Sequence, residues 1–153
     1  MNNSKHLGDT FGPYTGKAGE YRVASELLLR GINVAEMAID NAGVDLITIP
    51  GNKRIQVKTS RSEYSNTRGY KYPAYLFCTR RKKYVNSRNI TLRPKIQPEN
   101  IDFLICWCVD HDWFYIIPSS EMTQTTVNIP ISPERPSKYQ KYLNAWEQLR
   151  EEQ

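Results

Sequence analysis

Four polar side chains stand where the surrounding sequence is apolar: Glu20, Asp45, Gln56 and Lys58. Asp45 interrupts the run Val44–Ile49, and Gln56 and Lys58 alternate with Ile55 and Val57 in the run Arg54–Thr59. Both runs are rich in β-branched residues and Pro50-Gly51-Asn52 lies between them, which predicts two strands joined by a short turn. Side chains alternate across a strand, so Gln56 and Lys58 share a face, and the adjoining strand brings Asp45 beside them. Glu20, Ala24, Leu27 and Leu28 fall at i, i+4, i+7 and i+8, which predicts an inward-facing stripe on a helix with Glu20 on it. What this pattern shows is one ammonium group beside two carboxylates and an amide, converging groups of different chemistry. A surface hairpin with scattered polar residues accounts for any one of these positions, and accounts less well for the group. A glutamate on an inner helix face is as readily a structural residue, rescued by a buried lysine or hydroxyl, as a catalytic one.

The elements that must position this set read as follows. Residues 1–15 are polar and contain Gly12-Pro13, which predicts a loose arm. Thr15 is a candidate N-cap for a helix from about Gly16 to Arg30, ended by Gly31, with Arg22, Glu26 and Arg30 as i,i+4 partners. Asn33–Ala38 reads as a short strand and Asp40-Asn41-Ala42-Gly43 as its turn. The polar, basic stretch Ser60–Tyr72 reads as a loop, and Ala74–Thr79 as an apolar strand. From Arg80 to Pro98 no period lasts, so this stretch reads as a long connection or an added ribbon. Ile101–Val109 and Trp113–Ile117 predict a strand pair around Asp110-His111-Asp112, and Thr125–Ile131 a short edge strand. Pro118–Met122 looks like a helix start that soon fails. Ser137 followed by Gln140 makes a capping box, and Tyr139, Tyr142, Leu143, Trp146 and Leu149 then form an apolar helical stripe suited to packing on the sheet.

The chain has 153 residues, enough for one domain with a core and too few for two of ordinary size. Its 39% hydrophobic and 24% charged content fits a soluble globular protein. No run approaches the length of a membrane span, and MNNSKHLGDT has no apolar core, so it does not read as a signal peptide. Cys78, Cys106 and Cys108 form no disulfide framework, which points to reduced thiols and a cytoplasmic setting. Cys106-x-Cys108 near His111 can be read as half a zinc site; alternation puts both sulfurs on one strand face, and buried structural thiols are the better account. Charge is unevenly spread. Lys53 to Lys95 holds 13 of the 21 basic residues against one of the 16 acids, Glu63, a local balance of +12, while the remainder stands at −7. Such a block attracts polyanions, and nucleic acid is the commonest one.

Asp45, an eleven-residue step to Gln56, one apolar residue, then Lys58: this order resembles the D-x(n)-(D/E/Q)-x-K signature of the PD-(D/E)XK nucleases. Upstream, Gly16-Lys17-Ala18-Gly19-Glu20 opens a helix, as a glutamate-bearing first helix does in many members. The whole set looks most like the variant in small intron-encoded homing endonucleases, where glutamine replaces the second acid. The resemblance spans roughly residues 16 to 60. Val44 stands where the signature has proline, and Gln56 removes one negative charge from the metal site.

The resemblance implies an α/β fold of the restriction-endonuclease-like kind, a mixed central sheet flanked by helices, formed by residues 16–153. It implies a Mg²⁺-dependent, sequence-specific DNA endonuclease of homing type, with Mn²⁺ as a substitute ion. Glu20, Asp45, Gln56 and Lys58 would be the catalytic set. Glu20, Asp45, the Gln56 amide oxygen and the Val57 carbonyl would hold the metal, and Lys58 would orient or deprotonate the nucleophile or stabilise the pentavalent phosphate. Arg61, Arg68, Lys71, Arg80, Arg81, Lys82, Lys83, Arg88, Arg93 and Lys95 are candidates for contacting double-stranded DNA. One site cuts one strand, so a double-strand break implies a homodimer or homotetramer. A restriction endonuclease and a Holliday-junction-type resolvase use the same catalytic set. The rival from another class is a nucleic-acid-binding protein with a vestigial site; it explains the basic block and leaves Glu20, Asp45 and Lys58 unexplained.

Overall fold

The computed structural model describes residues 4–41, 43–79, 83–85, 88–92 and 98–151. A long helix, α1 (Ser4–Leu29), leads into β1 (Asn33–Asn41), β2 (Val44–Ile49) and β3 (Arg54–Ser60). Next come β4 (Glu63–Thr67), β5 (Tyr70–Cys78), β6 (Lys83–Val85) and β7 (Arg88–Leu92), then β8 (Phe103–Cys108), β9 (Trp113–Pro118) and β10 (Thr126–Pro130). The main sheet has the order β1-β2-β3-β8-β9, in which β3 and β8 run parallel and the other neighbours antiparallel. A second sheet has the order β10-β5-β4, and β6 and β7 form a separate ribbon. This is the mixed central sheet that the sequence implies; of the helices expected to flank it, α1 is the α-helix that the described residues form.

α1 ends as expected. Gly31, at φ +78°, closes it with Gly31 N–H to the Leu28 carbonyl and Ile32 N–H to the Leu27 carbonyl, each at 2.9 Å, and only a glycine takes that backbone without strain. Its start differs from expectation. Residues 4–15 continue the helix instead of forming an arm, because Pro13 withdraws one hydrogen bond without stopping a helix whose later turns are anchored on the sheet.

The main sheet is buried on both faces. Toward α1 lie Val23, Leu27, Leu46, Ile55, Val57 and Ile105; on the far side Leu104, Cys106 and Cys108 pack against Tyr75, Phe77 and Ile129 of the second sheet. Each fully buried side chain of this size contributes roughly 1.5–3 kcal/mol. Cys106 and Cys108 are on one face and buried, as alternation requires, and burial raises both thiols above their ordinary range.

Two stretches depart from the sequence reading. Ser60–Tyr72, expected as a loop, is mostly the β4–β5 hairpin. Arg68 (φ +51°) and Gly69 (φ +84°) make its two-residue turn between the paired Thr67 and Tyr70, and Asn66 Oδ1 accepts the Gly69 N–H at 3.1 Å. The C-terminal stripe does not form an α-helix. Leu143 extends to bridge Tyr115, Asn144 takes φ +53° and donates its N–H to the Phe114 carbonyl at 2.6 Å, and 3-10 turns at Gln140–Tyr142 and Trp146–Leu149 lie on either side. Tyr139, Trp146 and Leu149 are buried all the same, so the apolar stripe served the core through a chain that follows the β9 edge.

Three aspartates tie distant segments together. Asp102 accepts the Arg54 backbone N–H at 2.7 Å and its guanidinium at 3.1 Å; Asp110 accepts the Ser62 N–H at 2.7 Å; Asp112 accepts from Arg22 and the Trp107 indole, each at 2.7 Å. The Arg54 side chain lowers the Asp102 pKa, the Ser62 N–H that of Asp110, and the Arg22 guanidinium that of Asp112. Depressed carboxylates give stability that is complete above the unfolded value near 4 and is lost as pH falls through the lower folded values. Urea unfolding midpoints should therefore hold from pH 7 to about pH 5 and drop steeply by pH 3. An unchanged midpoint at pH 3 would show that these three contacts do not contribute.

Candidate active site

β2 and β3 pair over only two positions, Leu46 with Ile55 and Ile47 with Arg54. Beyond them β3 stays paired to β8 on its other edge, from Ile55 to Ser60. β2 meanwhile turns over. Val44 packs into the core away from α1 and Leu46 into the core beneath α1, although two residues apart on a regular strand would share a face. Asp45, at the crossover, aims its carboxylate across the widening gap, where Oδ2 accepts the Val57 N–H at 2.7 Å. A strand residue presents its N–H and C=O to the same edge, so the Val57 carbonyl faces that gap too.

Gln56 and Lys58 share the face turned away from α1, opposite Leu104 and Cys106 of β8. Gln56 is 4% exposed, and its Oε1 is buried with no hydrogen-bond partner. An acceptor left in that state costs about 1–3 kcal/mol unless something binds it. Lys58 is half-buried. Its neighbour Cys106 is held in the neutral thiol form by burial, so that thiol does not cancel the ammonium charge.

Glu20 approaches from the helix side of the sheet. The buried line of α1 runs Gly19, Val23, Leu27, while Leu28 is 56% exposed, so the stripe expected through Glu20 and Leu28 is rotated by about one residue. Glu20 lies at the margin of the buried line, and its Oε2 accepts from Lys17 Nζ at 2.7 Å. Lys17 also donates to Glu36 on β1, and the two carboxylates, Glu20 first, raise its pKa further above the ordinary lysine range. Lys17 was missed in the sequence; the Lys17-x-x-Glu20 spacing was its signal. The strands thus set Asp45 against Val57, with Gln56 and Lys58 at the flanking positions of β3, and Glu20 stands on α1 with its carboxylate held by Lys17.

Of the ten candidate nucleic-acid contacts, five lie on described residues. Arg61 is 70% exposed and pairs with Asp110 at 3.3 Å. Arg68 is exposed in the β4–β5 turn. Lys71 is exposed on the face of β5 that continues through Tyr75 and Phe77, which pack over the Gln56 and Lys58 side of the main sheet. Lys83 and Arg88 fall on β6 and β7. Arg80, Arg81, Lys82, Arg93 and Lys95 lie outside the described residues. The two sheets are joined near this face by Tyr75, whose hydroxyl meets His111 Nδ1 at 2.5 Å, with His111 stacked on Trp113.

An oxygen-bearing corner beside a lysine, where two strands part, has the chemistry to bind a hard cation and a phosphate together. The solved structure of a bacterial homing endonuclease, I-Ssp6803I, is similar in fold: TM-score 0.72 over 96% of this chain and 93% of that one, at 20% identity. No curated protein sequence matches the chain. The family described as PD-(D/E)XK endonuclease matches residues 12–149, which takes in every element from within α1 to the last 3-10 turn, and the chain belongs to that endonuclease family.

Proposed function

We propose that the protein is a Mg²⁺-dependent, sequence-specific endonuclease of homing type, acting on double-stranded DNA in the cytoplasm as a homodimer or homotetramer, with residues 16–153 as its nuclease domain. The observation that carries this reading is the Asp45 carboxylate set into the β2–β3 gap, with the unpartnered Gln56 Oε1 on the adjacent strand. Among the described residues no three His, Cys, Asp or Glu side chains gather to hold a metal, and on this reading an amide and a carbonyl would complete the donor set. Asp45, Gln56 Oε1, the Val57 carbonyl and Glu20 are all oxygen donors and fit Mg²⁺, which takes one or two protein carboxylates and otherwise keeps water or phosphate oxygens; Mn²⁺ accepts the same donors. When bound, the ion neutralises phosphate charge and makes its bound water more acidic.

The remaining work belongs to the chain. Hydrolysis forms a bond from water oxygen to phosphorus and breaks the bond to the departing 3′ oxygen, so negative charge builds on the phosphoryl oxygens. Lys58, on the same strand face as Gln56, stabilises that charge and orients the attacking water. Asp45 fixes the spacing of the two strands through Val57. Arg61, Arg68 and Lys71, with Lys83 and Arg88 on the ribbon, position the backbone phosphates, and base edges are read in the grooves. No described helix is long and apolar enough to cross a membrane.

The test is a supercoiled plasmid library with a randomised insert, and a four-way junction, each incubated with Mg²⁺, Mn²⁺ or EDTA and the cut ends sequenced. Cutting at one recovered sequence with either ion and none in EDTA is expected. Cutting of the junction alone would make the protein a resolvase, and binding without cutting would make the site vestigial. In the same assay Gln56→Glu adds charge at the donor set, so the Mg²⁺ for half-maximal cutting should fall several-fold, about what one added carboxylate contributes. Unchanged metal dependence with weaker DNA binding in Ca²⁺ would remove Gln56 from the metal site.

A further inference from the structure

Gly19 is buried on the face of α1 turned to the sheet, one residue before Glu20. A Cβ at this position would lie 1.8 Å from Thr59 Oγ1 and 3.1 Å from Thr59 Cβ. Gly12 and Gly16, on the same helix, would meet nothing within 4 Å, so the crowding belongs to this turn. The backbone here is ordinary helix and alanine would favour it, so space and not conformation calls for glycine. Thr59 follows Lys58 on β3. Its Oγ1 is buried with no hydrogen-bond partner, so what faces it is the helix backbone itself.

We propose that the Gly19–Thr59 contact sets how closely Glu20 approaches the Lys58 end of β3, which makes Gly19 a positioning residue of the active site. This rests on the nuclease reading of Glu20 and Lys58. β3 cannot give way, because β8 holds it from Ile55 to Ser60. Thr59 is β-branched and has few rotamers in which to retreat. Further along, α1 is anchored by Arg22 on Asp112 at 2.7 Å and by its closed C-terminus. A methyl group at 19 therefore tilts the helix outward at Glu20 and Lys17, by on the order of an ångström if ordinary van der Waals separation is restored.

The experiment is a cycle of Gly19→Ala, Thr59→Ala and the double variant, with Glu20→Gln as reference, on the duplex that the wild type cuts. Binding is read in Ca²⁺, cutting as kcat and KM in Mg²⁺, and folding by circular dichroism. Gly19→Ala should keep its DNA affinity and KM within about threefold and lose about 100-fold in kcat, the scale of a 1 Å misplacement. The double variant should recover at least about tenfold of that loss, because the atom at 1.8 Å is gone and only the 3.1 Å contact remains. Wild-type cutting by Gly19→Ala, or a double variant no better than Gly19→Ala, overturns the inference. Where Gly19→Ala alone does not fold, the double variant decides: folded and cutting supports the inference, unfolded or inactive overturns it. An inactive Glu20→Gln beside a fully active Gly19→Ala sinks the inference alone. An active Glu20→Gln, or a wild type that cuts nothing, sinks the reading it rests on and the inference with it.

Discussion

Asp45→Asn should leave the protein folded and lower cleavage by about 1,000-fold or more, the scale at which a single electrostatic contributor to a transition state acts. Asparagine is the informative change because its Oδ1 can still accept the Val57 N–H that Asp45 accepts at 2.7 Å. The β2–β3 junction is thereby kept, and the negative charge alone is withdrawn. Alanine would remove both, and a loss of activity could then come from the strands closing. DNA affinity should stay within about tenfold, since phosphate contacts elsewhere supply most of the binding. The measurement is single-turnover cleavage beside a thermal melt and a Ca²⁺ binding titration. Cleavage within tenfold of wild type by the folded variant would take Asp45 out of the site.

Lys58→Met should follow, with a loss of about 100- to 1,000-fold in kcat. Methionine keeps much of the apolar stem beside Cys106 and drops the ammonium group. Cys106 is a neutral thiol, so that change breaks no ion pair with it, and the retained stem should limit the loss of stability. Lys58→Arg keeps the charge and spreads it over a larger planar group, so it should recover only part of the rate. If Lys58→Met cut at the wild-type rate, charge stabilisation would have to come from another residue. If it lost DNA binding in proportion to cleavage, Lys58 would be a ground-state phosphate contact.

Much of this site was legible because it depends on strand spacing. The runs Val44–Ile49 and Arg54–Thr59 are β-branched and punctuated by Pro50-Gly51, and strand period alone places Gln56 and Lys58 on one face. The crossover at Asp45 was not legible. It depends on β1 shifting register between Glu36 and Asn41 and on β2 leaving β3 after two pairs, and neither is a local property of the sequence. The β4–β5 hairpin was missed because Glu63, Tyr64, Asn66 and Thr67 are all exposed, so its strands carry no apolar alternation. The C-terminal stripe had helical spacing, but Leu143 and Asn144 found backbone partners on β9, and tertiary pairing overrode local preference. The helix phase at Glu20 erred for a related reason: glycine carries no hydrophobic signal, and Gly19 is where α1 packs against Thr59 of β3.

The parallel pairing of β3 with β8 has a consequence for when the enzyme first exists. Ile55 is joined to Phe103, and between them the chain must make the β4–β5 hairpin and the β6–β7 ribbon. Contacts so far apart in sequence form late, because the intervening loop must close before the pairing gives anything back. A nascent chain that has emerged through Lys58 carries Glu20, Asp45, Gln56 and Lys58, yet has no neighbour on the β8 edge to hold the strand that bears two of them. On the proposed reading, cleavage should therefore appear only after β8 has arrived, although that strand contributes none of the proposed catalytic residues.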